Sequence, residues 1–310
     1  MVAKPVGKSP LPLLGAHMSI DGGTPEAIKR GESIGCTAIQ IFLKNSNRWK
    51  GKAIGEKEAA DFRAGLAASR IRSVFGHNSY LVNLASNRDD LFAKSIEAMV
   101  DEIERASALG VPFIVIHPGS HVGQGEEWGL KRIAEGVAEI CRRTAAHKVA
   151  VAFETTAGQG TNLGYRFEHL AALLDGAPDK ARVGVCFDTC HVFAAGYELR
   201  DRRRYQETVR ALDEIVGLEN LLAIHLNDSK GDLGSRLDRH EHIGKGRLGL
   251  EAFRNVLNDP RFEDVPKVLE TPKGPDMNED VENLKVLRGL IAAKQRDLQP
   301  HSLCPRPLRR

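Results

Sequence analysis

No uninterrupted apolar run in the 310 residues approaches the roughly 20 needed to cross a bilayer, so a membrane span is not expected. The start, MVAKPVGKSPLPLLGA, is basic, but its apolar stretch is short and broken by proline, which does not make a signal peptide. Cysteine is scarce. The five residues Cys36, Cys141, Cys186, Cys190 and Cys304 are odd in number and lack zinc-type C-x-x-C spacing. They suit buried thiols in a reducing cytoplasm better than a disulfide frame. A P-loop, a G-x-S-x-G elbow and a Ser/His/Asp order are all missing, which leaves nucleophilic catalysis without support.

A surplus of charge is missing too, once its location is considered. The formal net charge is +3, but Lys294 to Arg310 carries +4 and leaves −1 for residues 1–293. A near-neutral body holds a polyanion only through a local patch or bound cations.

What the chain does contain is a recurring unit: a short apolar run, a polar turn, then a helical stretch. The apolar runs are 13–20, 36–43, 73–78, 112–119, 149–156, 182–191, 221–228 and 266–272. Near-continuous β-branched hydrophobics of this length suit parallel strands covered on both faces. Helical segments are expected at 24–34, 56–70, 88–109, 126–147, 164–175, 202–217, 250–258 and 276–295. Eight strands alternating with eight helices is the count of an α/β protein of the (β/α)8 TIM-barrel type, with a doubly wound open sheet as the competitor. The expected organisation is a flexible extension at 1–12, one barrel domain at 13–296, and a basic disordered tail at 297–310.

Polar residues should be scarce in buried strands, yet seven of the eight runs end in one. These are His17, His77, His117, Glu154, Asp188, His225 and Glu270. Any one of them alone reads as a local hydrogen bond or a helix cap. In a parallel barrel, however, all strand C-terminal ends share one face, where active sites form. Asp188-Thr-Cys-His191 is expected to run off the end of the sixth strand, and Asp238-Arg-His240 lies in the polar loop after the seventh. Extended geometry would let Asp238 and His240 point the same way.

Carboxylates and imidazoles gathered without Lys or Arg would repel or desolvate one another, and a multivalent cation relieves that. A His/Asp/Glu set without Cys suits zinc or manganese and argues against magnesium or calcium. The number of ligands fits two or more metals. Cys190 reads as packing. His121 and His242 read as supporting or loop groups, and His147, His169 and His301 as surface. The stretch Gly244-Lys-Gly246-Arg-Leu-Gly249 matches G-x-G-x-x-G, but no strand directly precedes it. A nucleotide cofactor is therefore not expected; a turn whose Lys245 and Arg247 reach a phosphate, or a plain loop, fits better. Arg202-Arg203-Arg204 reads as a solvated helix face.

Six motifs in order carry a family resemblance. They are His117-Pro-Gly-Ser-His121, Glu154-Thr-Thr-Ala-Gly-Gln-Gly160, Val185 to Gly196 (VCFDTCHVFAAG), His225-Leu-Asn-Asp228-Ser-Lys, Asp238-Arg-His240 and Glu270-Thr-Pro. Together with Gly15-Ala-His17-Met-Ser and Lys44-Asn45 near Trp49, the chain from about 13 to about 290 resembles endonuclease IV. That family is zinc-dependent and cuts DNA at apurinic/apyrimidinic sites.

The resemblance implies a (β/α)8 fold and three zinc ions per chain, with manganese an option at one site. It implies His77, His117 and Glu154 at the first metal, and Glu154, Asp188, His225 and Glu270 at the second. His191, Asp238 and His240 would hold the third, with Glu154 bridging two metals and positioning the attacking hydroxide. The implied reaction is hydrolysis 5′ to an abasic site in double-stranded DNA, leaving a 3′-hydroxyl and a 5′-deoxyribose phosphate. Removal of blocked 3′ ends is the implied second activity, and a monomer is adequate.

Tyr80 and Leu81 match two residues of a wedge that enters the DNA while the abasic nucleotide flips out; by themselves they read equally well as loop packing. A third wedge position, often Arg in the family, falls on Asn47, with Arg48 beside it. Thr155 stands where many relatives have Asn. Two other readings remain at this stage. A sugar isomerase or epimerase barrel also gathers His, Asp and Glu around metal, but would not need His191, Asp238 and His240. A non-catalytic DNA-binding relative would have lost a ligand, and none is lost.

Overall fold

All eight apolar runs form strands, because their side chains are covered on both faces. The computed structural model describes residues 12–292, so Met1–Leu11 and residues 293–310, with most of the expected extension and all of the expected tail, lie outside the described residues. In chain order the strands are β1 (Leu14–Met18), β2 (Ala38–Phe42), β3 (Ser73–His77), β4 (Phe113–Ile116) and β5 (Ala150–Glu154). They continue with β6 (Val183–Asp188), β7 (Leu221–His225), β8 (Asp228–Ser229), β9 (His240–Glu241) and β10 (Lys267–Leu269). All except β8 and β9 pair in parallel and close into one barrel, in the order β1-β10-β7-β6-β5-β4-β3-β2. Pairing of β1 with both β2 and β10 closes the ring and removes the open-sheet alternative. β8 and β9 form a separate antiparallel hairpin within the segment expected to be a polar loop.

The helices are α1 (Thr24–Ser33), α2 (Glu56–Ala68), α3 (Asp89–Leu109), α4 (Glu126–Arg143) and α5 (Phe167–Gly176). After them come α6 (Thr189–Ala195), α7 (Arg202–Val216), α8 (Gly249–Leu257) and α9 (Asn278–Leu290). Eight match the expected segments. α4 stops before the expected residue 147, where Thr144 caps back to Ile140. α6 departs from expectation: residues 189–191 leave the strand and enter a helix, with the Asp188 carboxylate accepting the His191 backbone N–H at 2.9 Å. A side chain in that position is an N-cap, so the Asp188-x-x-His191 spacing is one helical turn, not a continued strand.

Period-two alternation divides each barrel strand between two environments. Outward residues such as Ile39, Ile41, Ile114, Val151 and Ile224 join the large core beneath the helices. Inward residues Ala38, Phe75, Val115, Ala152, Cys186, Ala223 and Val268 form a second apolar cluster inside the barrel. Gly15 takes the β1 position in that layer, because a Cβ there would lie 1.7 Å from the Ala38 carbonyl oxygen. Two residues further along every strand the next inward position is polar. The apolar layer thus forms the floor of the site at the strand C-terminal ends.

Candidate metal centre

The polar layer contains His17, Gln40, His77, His117, Glu154, Asp188, His225 and Glu270, each from a different barrel strand, except that His117 and Glu270 directly follow β4 and β10. Seven are the strand-end residues expected from sequence. Gln40 was missed because it lies inside its run rather than at the end, and because glutamine is not a usual metal ligand. His191 joins from α6. Asp238 and His240 come from the β8–β9 hairpin and its loop, where the Asp238 amide donates to Gln159 Oε1 at 2.9 Å.

Ligand-type atoms lie within 4.8 Å of one another in several groups. The first is His77, His117 and Glu154, with Nε2 of each histidine 3.2 Å from Glu154 Oε2. The second is Glu154, Asp188, His225 and Glu270, where His225 Nδ1 is 3.0 Å from Glu154 Oε1 and 3.2 Å from Glu270 Oε2. The third is His191, Asp238 and His240, with His191 Nε2 3.1 Å from Asp238 Oδ1. Glu154 belongs to two groups and turns a different oxygen to each. The remaining group, Asp188, Cys190 and His240, draws in Cys190. Burial pushes that thiol up to about 12 and its sulfur points to the Arg239 carbonyl, so packing describes it better than ligation.

The donor chemistry fits cations. Every ion-pair partner within 4.0 Å of Glu154, Asp188, Asp238 and Glu270 is a histidine, among the described residues. Burial alone would push the Glu154 and Glu270 carboxyls up, yet His225, with His117 for Glu154, holds both well below the usual carboxylate range. His77, His191 and His240 each give Nδ1–H to a backbone carbonyl, of Asn78, Thr155 and Glu270 respectively, at 2.8–3.2 Å. Those bonds leave Nε2 as a lone pair facing the cluster. His191 Nε2 and His240 Nε2 face each other at 3.4 Å, a spacing at which both neutral rings would turn lone pairs to the same cation. His17 differs: burial lowers its pKa to about 4 against the pull of Glu270. It packs on Phe42 with ring centroids 4.3 Å apart.

The residues expected to touch DNA lie on loops at the same barrel end. Tyr80 is 71% exposed and meets the Phe42 ring edge-on at 5.4 Å, while Leu81 is half-buried. Asn47 and Arg48 are exposed after β2, and Arg48 lines a separate groove of about 1200 Å³ beside α1 and α2. Lys245 and Arg247 are exposed, and Arg247 lies 3.4 Å from Asp232. The glycine-rich loop holds an anion of its own: the amides of Gly244, Gly246 and Leu248 donate to the Asp228 carboxylate at 2.9–3.1 Å. His169 corrects the surface reading, since it is buried between the Gly164 amide and Glu126. His301 lies outside the described residues.

Comparison with known proteins identifies the family and the fold. Residues 28–290 match the family described as xylose isomerase-like TIM barrel. A probable endonuclease 4 of Chloroflexus aurantiacus is 51% identical over 281 residues, covering 91% of this chain and 99% of that protein. A probable endonuclease 4 of Citrifermentans bemidjiense is 52% identical over 279 residues, covering 90% and 99%. The crystal structure of endonuclease IV from Thermus thermophilus superposes with a TM-score of 0.80 at 39% identity, covering 90% of this chain and 98% of that one. A D-tagatose 3-epimerase-like protein shares the fold alone, at 17% identity and a TM-score of 0.67. This chain belongs to the endonuclease IV family of TIM-barrel hydrolases.

Proposed function

We propose that this endonuclease repairs DNA by hydrolysing the phosphodiester 5′ to an abasic site, leaving a 3′-hydroxyl and a 5′-deoxyribose phosphate, and that it also clears blocked 3′ ends. The observation that carries the reading is the sharing of Glu154 between two donor groups, with a third group beside them. Three adjacent cation sites match a phosphodiester, whose charge grows as it is attacked and released.

In this reading His77, His117 and Glu154 hold the first of three zinc ions. Glu154, Asp188, His225 and Glu270 hold the second, and His191, Asp238 and His240 the third, where manganese is an alternative. Mixed imidazole and carboxylate ligation without thiolate suits those metals. When bound, such cations lower the pKa of water and neutralise charge on a phosphoryl group. Glu154 fixes the spacing of two sites through its two oxygens. The histidine Nδ1–H bonds to backbone carbonyls fix which ring nitrogen serves as ligand. Asp188 both caps α6 and faces the second group, so strand end and helix start are set by one side chain.

Tyr80 and Leu81 supply apolar surface to fill the space left by an extruded nucleotide, a step that costs least where a base is missing. Asn47, Arg48, Lys245 and Arg247 serve the flanking strands and phosphates of the double-stranded substrate. The enzyme acts as a monomer in the cytoplasm, with residues 13–296 as the catalytic unit between an N-terminal extension at 1–12 and a basic tail at 297–310. The four cysteines among the described residues are all free and buried, which supports a reducing compartment. No helix among the described residues is long and apolar enough to cross a membrane.

The Glu154→Ala variant tests the reading. It should lose abasic-site incision and part of its bound metal while circular dichroism shows an intact fold. Wild-type incision by that variant would overturn the assigned mechanism.

A further inference from the structure

Gln40 is fully buried in the middle of β2, between Ile39 and Ile41. A primary amide at such a place is costly unless each of its polar atoms is used. Here each is. Oε1 lies 2.7 Å from His225 Nε2, and Nε2 donates to Glu270 Oε1 at 2.5 Å and contacts His17 Nδ1 at 2.8 Å. The reversed amide would set an oxygen against the Glu270 carboxylate, acceptor against acceptor, so this orientation is the one the surroundings allow.

The partner of His225 sets it apart. His77, His191 and His240 give their outward N–H to backbone carbonyls, which no substitution removes. His225 uses a side chain instead, and it presents the opposite nitrogen: Nε2–H goes to Gln40, and Nδ1 faces Glu154 Oε1 at 3.0 Å and Glu270 Oε2 at 3.2 Å. Glu270 is divided in the same way, with Oε1 held by Gln40 and Oε2 turned to the cluster. One amide therefore orients two members of the second donor group, and it reaches them from a strand that contributes no ligand itself.

We propose that Gln40 is a positioning residue for the second metal: by accepting His225 Nε2–H and holding one Glu270 oxygen, it presents His225 Nδ1 and Glu270 Oε2 to the cation. This rests on the reading that His225 and Glu270 hold a metal. The effect is local to one of the three sites, because Gln40 touches no member of the first or third group apart from the shared neighbourhood of Glu154. Removing an outer partner of a metal ligand typically weakens metal binding about 10- to 100-fold.

The test compares wild-type holoenzyme with Gln40→Leu, which keeps the side-chain bulk and deletes the three hydrogen bonds. Metal release to a colorimetric chelator is followed together with total metal by mass spectrometry. Gln40→Leu should release one ion per chain about 10- to 100-fold faster than wild type, with the other ions unaffected. Independently of any variant, ¹⁵N spectra of the histidine rings in wild-type holoenzyme should show His225 protonated on Nε2. Wild-type release kinetics in Gln40→Leu, or a proton on Nδ1 of His225, would overturn this proposal alone. A wild-type protein that binds no metal would overturn the metal-centre reading first, and this proposal with it.

Discussion

The Asp228 carboxylate accepts the backbone N–H of Gly246 at 3.1 Å, at a place where a Cβ on residue 246 would lie 2.4 Å from Asp228 Oδ1. The same carboxylate receives the amides of Ser229, Gly244 and Leu248. A loop whose amides converge on an anion is the arrangement that binds phosphates elsewhere, but here the anion is built in. Gly246→Ala must push apart Asp228 and the Ser229 carbonyl. It should cost about 1–3 kcal/mol in urea unfolding, the usual range for overpacking. A change below about 0.5 kcal/mol would mean the loop yields freely.

A second buried charge ties two loops at the mouth. Lys44 Nζ, on the segment after β2, lies 2.6 Å from Glu102 Oε1 on α3. That oxygen also accepts the Ser79 amide, one residue before Tyr80. Removing one member of a buried pair leaves the other charge uncompensated, at about 3–5 kcal/mol. Lys44→Met should therefore lose stability of that order. Burial already pushes the Glu102 carboxyl up, with Lys44 opposing it. The loss should therefore be smaller in mild acid, where Glu102 takes up a proton, than at neutral pH. An equal loss at both would show that the charge is not the cause.

Much of this was legible in the sequence because barrel strands and barrel ligands obey the same alternation. An apolar run followed by one polar residue, such as SVFGH or LLAIH, gives both the strand and its inward-facing end. What failed has equally physical reasons. Asp188 to His191 looks extended because Asp-Thr-Cys-His carries no helix periodicity, yet Asp188 is an N-cap and the helix is only one short element. Gln40 is flanked by isoleucines that fix the strand and conceal the role of the residue between them. His169 is polar on an amphipathic helix, and its burial depends on Glu126, 43 residues away in sequence.

Tyr80 and Leu81 separate damage recognition from metal chemistry. The double substitution to alanine should weaken binding to abasic duplex by roughly 10- to 100-fold, as losing one or two stacking or apolar contacts of about 1–3 kcal/mol would do. Bound metal should stay at the wild-type level. Unchanged affinity in a fluorescence titration would mean that other residues fill the gap.

Lys267 makes stability depend on pH at the alkaline end. It is buried on β10, where its ammonium donates to the Phe262 and Val265 carbonyls. Burial lowers its pKa from 10.5 to about 8, with Asp264, Glu263 and Asp259 pulling the other way. Between those two values the unfolded chain binds more protons than the folded one, so this group makes stability rise with pH, by roughly 3 kcal/mol across the window. Buried Cys36, Cys186 and Cys190 act oppositely, since burial raises each to about 12. The difference between wild type and Lys267→Met isolates the lysine. That difference should change steadily from pH 8 to 10.5; a flat difference would contradict the assignment.

The central claim is metal-dependent hydrolysis at an abasic site. It is tested most directly by incubating the enzyme with a duplex oligonucleotide carrying one tetrahydrofuran abasic analogue, before and after prolonged chelation. The analogue cannot undergo β-elimination, so any cut is hydrolytic. The account predicts cleavage on the 5′ side of the analogue, an extendable 3′-hydroxyl, and loss of activity on chelation. An intact oligonucleotide in the presence of metal-replete protein, or cutting that survives complete metal removal, would contradict it.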